Sequence, residues 1–261
     1  RILSTGDVGI GITNPTKTGI QNLVKVLQID GGDGAELILG NSQSPNVSTN
    51  HIGAIAFKNI DTSLGTAPHY AGIRCNATDT VGNMNLKFYA GSTAFESDSA
   101  HMSIISSGAV TKPYQVGFYA TANSGGTVTM TSTHTLNNWR LSTSGKTYSI
   151  GGHFNTSNGR FTAPITGQYL FTGSILLQNY DTASGIHMMW RKNGSTYQYW
   201  YNTRTSDIDR SGYGGFLAQG STTTFSLTTN DYIEVACNFS GTLKLWCGDA
   251  NWGHFSGYFL G

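Results

Sequence analysis

Apolar and polar side chains alternate with a period of two in the second half of this chain, and this alternation restricts the fold more than any other feature. The clearest run places four apolar side chains on one side of an extended strand: Ile233, Val235, Cys237 and Phe239. Side chains of a strand point alternately to opposite faces, whereas an amphipathic helix repeats every 3.6 residues. No segment has a convincing helical period, so the sequence predicts an all-β protein.

The composition excludes several classes of protein. Charged residues make up 11% of the 261 residues and the formal net charge is +1, so there is no basic face to neutralise nucleic-acid phosphates. Aromatic residues make up another 11%, which argues against a disordered chain. No apolar run approaches the roughly 20 residues that span a bilayer, so no membrane insertion is expected.

The cysteines do not form a disulfide framework. Cys75, Cys237 and Cys247 are few and far apart. Free cysteine is among the most buried residue types, and we expect all three to be small buried apolar side chains.

A short internal repeat divides the chain. Residues 1–8 return as residues 103–110, and both copies predict a strand running into a tight turn. This spacing indicates a module of about 100 residues, of which the chain holds one and the start of the next, and we expect a fragment of a longer protein. Further strands are predicted over 23–29, 36–39, 52–57, 85–90 and 102–105. The module has few apolar residues for its length, so winding three chains together would supply its core.

Pro113 marks the predicted boundary between domains 1–112 and 113–261, because proline restricts the preceding residue to an extended conformation. After it come longer alternating runs. Asn193-Gly194 joins two of them and is a strong hairpin signal. About eight to ten strands in one such domain indicate a β-sandwich or jelly roll.

Several short motifs of the second half occur in order and at sensible spacing. They are Gly152-His153-Phe154-Asn155, Gly159-Arg160-Phe161-Thr162-Ala163-Pro164, Gly167-Gln168-Tyr169-Leu170-Phe171, Lys192-Asn193-Gly194 and Phe255-Ser256-Gly257-Tyr258-Phe259-Leu260. The set resembles the globular head of complement component 1q and its tumour-necrosis-factor-like relatives. The resemblance implies a ten-stranded jelly roll that assembles with two identical chains into a homotrimer, with both termini at the base and loops at the apex.

The first half resembles a different class. Gly6-Asp7-Val8-Gly9-Ile10-Gly11-Ile12-Thr13-Asn14-Pro15 is similar to a motif of bacteriophage tail fibres and tailspikes, and residues 102–110 are similar to the line that precedes it there. The resemblance implies a trimeric β-rich shaft module in a virion tail fibre. Its partners would be other virion tail proteins and a glycan or protein receptor on the host surface.

Candidate ligand-binding residues lie in the last loop before the closing strand: Trp246, Asp249, Asn251 and Trp252. Aromatic faces stack on sugars, and tryptophan is a common binding anchor. Trp200 is a further candidate, on the opposite side of a strand from Tyr197, Tyr199 and Tyr201. Core or inter-subunit packing is the alternative role for this aromatic cluster.

The segment Asp207-Ile208-Asp209-Arg210 carries two carboxylates on one side of an extended loop. Three interpretations remain open for these residues. They could form a calcium site at Asp207 and Asp209, a sugar-binding edge, or an exposed loop with a local Asp–Arg pair. No other cofactor is expected.

No catalytic arrangement is recognisable, and we expect a binding protein rather than an enzyme. There is no Gly-x-Ser-x-Gly nucleophile motif and no zinc-like histidine spacing. The leading hypothesis is a receptor-binding tip that attaches the phage to a host-surface glycan. The alternative is a trimerisation cap without a ligand. A polysaccharide depolymerase ranks third, because Asp207 and Asp209 neighbour each other on one loop instead of facing each other across a cleft.

Overall fold

The computed structural model describes most of the chain. The described residues are 8–10, 27–29, 36–39, 51–59, 69–78, 83–92, 100–123, 126–131, 134–141, 145–178, 183–203, 216–247 and 251–261. They form strands, turns and irregular segments with no helix among them, so the predicted all-β class is confirmed. An apolar helix of membrane-spanning length is absent from this part of the chain. Contacts divide the molecule into two units, Arg1–Thr111 and Lys112–Gly261.

The described residues of the N-terminal unit form two small sheets. Its strands are β1 (Val8–Ile10), β2 (Leu27–Ile29), β3 (His51–Asn59), β4 (His69–Ala77), β5 (Met84–Ser92), β6 (Met102–Ile104) and β7 (Val110–Thr111). β1 and β2 form a parallel pair, and β3 to β7 form an antiparallel sheet in chain order.

Most of the strands predicted for this unit are present. The strands predicted at 52–57, 85–90 and 102–105 lie at β3, β5 and β6, whereas residues 36–39 are irregular and exposed rather than a strand. Residues 23–26 and the first copy of the repeat before Val8 lie outside the described residues. In the second copy Gly108 adopts a φ of 85° between β6 and β7, which confirms the tight turn.

The C-terminal unit contains fourteen strands in its described part, where ten were expected, because short paired segments precede the long strands. They are β8 (Gly117–Ala122), β9 (Gly126–Met130), β10 (His134–Thr135), β11 (Trp139–Arg140), β12 (Tyr148–Ile150), β13 (Phe154–Asn155), β14 (Arg160–Thr162), β15 (Gly167–Gln178), β16 (Ser184–Lys192), β17 (Ser195–Thr203), β18 (Phe216–Leu227), β19 (Tyr232–Ser240), β20 (Leu243–Cys247) and β21 (His254–Phe259).

These strands form two sheets with jelly-roll connectivity. One sheet runs β13-β14-β19-β16-β17, and the other runs β11-β8-β21-β15-β20-β9, with β18 along the remaining edge of β15. Strands distant in sequence are neighbours, since the last strand β21 lies between β8 and β15. The inward faces of both sheets meet in one hydrophobic core.

Aromatic rings fill that core. Phe118 on β8 stacks on Phe154 with ring centroids 4.3 Å apart and meets Phe255 edge-on at 4.9 Å. Tyr169 is fully buried, and its hydroxyl donates to the carbonyl oxygen of Ile165 at 2.6 Å. Burial alternates along most of β15, as the sequence predicted.

Asn193 and Gly194 form the turn between β16 and β17, with φ values of 51° and 78°. Both residues are left-handed, as in a two-residue type I′ hairpin, so the hairpin predicted from Asn-Gly is confirmed.

Glu234 is a fully buried carboxylate on β19 with two arginine partners. Arg160 Nε lies 2.8 Å from one carboxylate oxygen and Arg191 Nη1 lies 3.2 Å from the other. The Arg160 guanidinium also covers the Tyr232 ring at 4.2 Å. Hydrogen bonding to Glu234 raises the pKa of Arg160. The paired charges satisfy a carboxylate that would be costly to bury alone.

The cysteines are only partly as expected. Cys237 is a buried free thiol whose pKa burial raises to about 12. Cys75 is free but only half-buried, because the sheet face that carries it is open in the single chain. The side chain of Cys247 lies outside the described residues.

The predicted arrangement of the aromatic strand β17 is wrong in one respect. Two β-bulges interrupt its pairing with β16, at Tyr197 and Trp200, so the side chains do not keep a strict period of two. The Tyr197 ring lies 4.5 Å from Phe225, whereas Tyr199 packs against His187 at 5.7 Å. These two tyrosines therefore do not share one face.

Candidate binding surface

The long central strand β15 defines the two ends of the C-terminal unit. At the start of β15 the Gln168 amide donates to the carbonyl oxygen of Gly261, and Gln115 donates to the carbonyl oxygen of Phe259, so both ends of this unit's chain lie there. At its last residues β15 pairs with β20, which carries Trp246. A twelve-residue strand spans about 40 Å. We name the end that carries Trp246 and Trp252 the apical end.

Trp252 is the most exposed indole that the structure describes at the apical end, at 53% of its surface. The turn that presents it is fixed by Gly253, whose carbonyl oxygen accepts from the Ala122 amide at 2.9 Å. A Cβ on Gly253 would stand 3.3 Å from both Ala122 Cβ and Ser174 O, so the turn packs closely on the sheet. This support holds the Trp252 backbone while its ring faces solvent.

Asn251 adjoins Trp252 and is also exposed. Its side-chain oxygen accepts a hydrogen bond from the Lys146 ammonium group. The three neighbouring side chains offer an aromatic face, an amide and a cation. Such groups can stack on a sugar ring and bond to its hydroxyls.

Trp246 is half-buried on β20, opposite Thr127 of β9. Its neighbours Leu243 and Leu245 point into the core, so Trp246 lies on the outer face of the sheet.

Trp200 belongs with the core more than with the surface. Its ring stacks on Trp190 at a centroid distance of 4.9 Å, and both rings close over Gly173. Its indole nitrogen is buried without a hydrogen-bond partner. This geometry favours the packing alternative for Trp200 over ligand contact.

The remaining candidates Asp207, Asp209, Arg210 and Asp249 lie outside the described residues. Among the residues that the structure does describe, no group of three His, Cys, Asp or Glu side chains is arranged to hold a metal ion. The calcium site at Asp207 and Asp209 stays a prediction.

Sequence reasoning missed an aromatic and histidine cluster on the outer face of the eight-stranded sheet. The His254 ring stacks on Tyr119 at 5.2 Å, and its two nitrogens lie 2.8 Å from Ser174 Oγ and 3.1 Å from Thr172 Oγ1. Burial lowers the pKa of His254. Alternation along β8 and β21 would have placed these side chains opposite the core residues Phe118 and Phe255.

The Tyr148 and Tyr258 hydroxyls are hydrogen-bonded to each other on the same face. Burial and that bond raise the pKa of Tyr148. Their pairing depends on β12 joining β8, a short pairing that the sequence pattern does not reveal.

Comparison with known proteins finds a partial relative and solved structures of low similarity. No family model matches the chain. It is 33% identical over 102 residues to the uncharacterized protein YqcC of Bacillus subtilis (strain 168), and the match covers 38% of this chain and 28% of that protein. The chain thus matches little more than a quarter of the length of this relative.

The solved structures that are similar to the chain include the following two. Eiger TNF from S. frugiperda aligns with a TM-score of 0.42 and 11% identity, over 56% of this chain and 93% of that one. Murine APRIL at pH 8.0 aligns with a TM-score of 0.39 and 12% identity, over 56% and 99%. Both likenesses concern the fold alone, and the jelly-roll description rests on the strand order of the C-terminal unit itself.

Proposed function

We propose that this chain is the distal part of a bacteriophage tail fibre, and that its jelly-roll head attaches the virion to a host-surface glycan. The observation that carries the proposal is the exposed Trp252 beside Asn251 and Lys146, at the end of the head opposite its chain termini. A fibre that enters the head at its base presents the apical end to the host. The tail-fibre-like motif at residues 6–15 supplies the viral context.

Recognition in this proposal uses stacking and hydrogen bonds rather than long-range charge. The indole of Trp252 covers the apolar face of a sugar ring, and the amide of Asn251 bonds to hydroxyls at its rim. Single contacts of this kind are weak, and several heads that bind at once make the attachment firm.

The proposal includes a homotrimer. Its support is the outer face of the eight-stranded sheet, where the outward positions of β15 and β18 carry no ionisable side chain. These positions are Gln168, Leu170, Thr172, Ser174, Leu176 and Gln178 on β15, and Ala218, Gly220, Thr222, Thr224 and Ser226 on β18. Cores of interfaces between chains are depleted of charge in the same way.

The second candidate is a trimerisation cap that has no ligand. The same uncharged sheet face favours it, because that face would serve assembly whether or not the apical end binds anything. The two candidates differ only in what the apical residues do.

A glycan array probed with the purified full chain tests the proposal. Trp252→Ala should lower binding about tenfold or more, as expected for loss of a binding anchor. The matched control is Tyr114→Ala, because Tyr114 is 55% exposed but lies near the base of the head. Equal binding by Trp252→Ala and the parent chain would reject the apical site. Absence of any glycan signal, with the trimer intact, would favour the cap.

A further inference from the structure

The antiparallel sheet β3 to β7 of the N-terminal unit exposes its apolar face and covers the centre of its polar face, which is the reverse of an ordinary domain. Its polar face is covered at its centre, where Arg74, Asn76 and Tyr89 are each at most 5% exposed. Arg74 Nε donates to Asn76 Oδ1 at 2.8 Å, and the Arg74 guanidinium lies 4.7 Å from the Tyr89 ring. The centre of the polar face is therefore covered, whereas Ala56 and Lys58 at its β3 edge are exposed.

The opposite face is apolar and open. Strand register places Ile55 beside Ile73 and Phe88, and Cys75 beside Leu86. Its large exposed side chains, between 38% and 69% accessible, are Ile55, Phe57, Ile73, Met84, Leu86 and Val110. We name this surface the apolar face. No charged residue occupies an outward position on it in β3 to β7.

The apolar face has both a hollow and projecting side chains. Residues 36–39 cross it at Gly53, where an added Cβ would stand 2.8 Å from Leu39 Cβ. Between that segment and the sheet lies a hollow of about 240 Å³ lined by Leu37, Leu39, Ile55, Ile73 and Leu86 among others. Phe57 stands beside it and is 69% exposed. The surface thus has a projecting apolar side chain, Phe57, and an apolar recess, which together give the self-complementary shape that a contact between identical chains needs.

We propose that the apolar face is an interface between copies of this chain, formed by the N-terminal unit itself. Monomeric proteins rarely expose contiguous apolar patches above a few hundred Å². The six exposed side chains of the sheet, together with Leu37 and Leu39 of the crossing segment, are about half exposed and offer on the order of 800 Å², which is what each partner buries in a stable interface. The inference rests on the proposed function for its fibre context and adds a second contact, separate from the head.

A second copy fits this face better than a different partner. The face has no charge and no exposed hydrogen-bonding side chain at its centre that would select one foreign protein. An identical face matches it in polarity, and the Phe57 ring of one copy can enter the recess of another. Burial of the face would also place the Cys75 thiols of different copies near each other, since Cys75 lies in the same cross-strand row as Leu86.

Cys75 is a built-in reporter for the test. The full chain is prepared with Cys247→Ser, which leaves Cys75 and the buried Cys237, whose high pKa keeps it protonated. The rate of maleimide labelling of Cys75 is measured by mass spectrometry on the associated chain. Mild air oxidation then tests for Cys75–Cys75 disulfides between chains, since thiols that face each other in an interface can pair without a bulky reagent.

We expect Cys75 of the parent chain to label about tenfold or more slowly than Cys75 of Phe57→Glu, because a thiol inside an interface is shielded from the reagent. Phe57→Glu should restore labelling and abolish the covalent pairs. The matched control Ala56→Glu adds the same charge one residue away, at an exposed position on the opposite face of β3, and should keep the protection. Both substitutions are at exposed positions, so the sheet itself should fold.

The proposal is overturned if Cys75 of the parent chain labels as fast as Cys75 of Phe57→Glu, or if Phe57→Glu and Ala56→Glu behave alike. Protection that appears only on addition of lipid vesicles or of another protein overturns it as well. The same samples are applied to the glycan array. Covalent Cys75 pairs without glycan binding reject the proposed function and keep the interface, and glycan binding without pairs does the reverse.

Discussion

Gly257 occupies a position of the head where the core leaves no room for a side chain. A Cβ there would stand 2.5 Å from the Phe171 ring and 2.8 Å from the Phe118 ring. Since both rings are packed in the core, Gly257→Ala should cost about 1–3 kcal/mol of unfolding free energy, as overpacking usually does. Urea denaturation followed by tryptophan fluorescence measures it. Gly220→Ala is the control, because its Cβ would meet nothing nearer than 3.3 Å, and an equal loss there would contradict the packing explanation.

His254 makes the head sensitive to mild acid. Burial lowers its pKa below the ordinary 6.5, and its ring is held between Tyr119 and the hydroxyls of Thr172 and Ser174. The unfolded chain therefore binds a proton at a higher pH than the folded chain does. The contribution of neutral His254 to the unfolding free energy is fully present above pH 6.5. It declines as the pH falls from 6.5 through the lower pKa that His254 has in the folded chain.

The corresponding measurement is the urea midpoint as a function of pH. His254→Gln keeps hydrogen-bonding groups at this position but does not titrate, so its midpoint should change less between pH 7 and pH 5.5 than that of the parent. Parallel curves for the two proteins would show that another group causes the decline.

At the scale of elements, Asp231 joins two hairpins of the head. Its carboxylate lies 2.8 Å from Lys192 Nζ and 2.7 Å from Asn193 Nδ2, and it also accepts from the Thr228 amide at 2.8 Å. The bonds from Lys192, Asn193 and Thr228 hold the pKa of Asp231 well below its usual 3.8. The stabilisation is therefore present above pH 3.8 and is lost as the pH falls further.

Asp231→Ala should lower the unfolding free energy at neutral pH by about 1–2 kcal/mol, because several charge-assisted bonds are lost. Lys192→Met, which removes the ion pair alone, should lower it less. Thermal unfolding of both variants provides the comparison. If Lys192→Met costs as much as Asp231→Ala, the bonds that Thr228 and Asn193 donate to Asp231 contribute little.

The elements themselves were predictable where local chemistry decides them. Alternation identified β15 and β19, and the left-handed pair Asn193 and Gly194 identified the hairpin. The bulges at Tyr197 and Trp200 were not predictable, because they arise where β17 adjusts to β16, and a strict period of two then assigns the wrong faces. For the same reason Trp200 was taken as a ligand candidate although its ring packs on Trp190.

At the scale of the whole molecule, the sequence placed Trp246 and Trp252 in one loop, which is wrong for Trp246, because pairing with β9 makes it part of strand β20. The structure adds that both residues lie at the end of the C-terminal unit opposite its base. Lys146 beside Asn251 was not predictable, since 105 residues separate them along the chain. The open apolar face of the N-terminal unit also escaped the sequence pattern. Alternation reveals which side chains share a face, whereas only the packed structure shows that the centre of the polar face is covered and the apolar face is open.

Assembly should determine how tightly the proposed fibre tip binds. If the uncharged sheet face of the head and the apolar face of the N-terminal unit both hold copies together, either contact alone should keep the chain oligomeric. Thr222→Arg places a charge on the first and Phe57→Glu on the second, at positions exposed in the single chain. The double variant should sediment as a monomer, whereas each single variant should remain associated.

Glycan binding should then fall about 10²- to 10⁴-fold in the double variant, because binding at several sites on one surface is lost while each apical site is intact. Analytical ultracentrifugation and surface binding on an immobilised glycan measure the two effects together. The single variants should bind as the parent does. A monomeric double variant that binds with unchanged strength would mean that one head suffices for attachment, and avidity would then have no part in the mechanism.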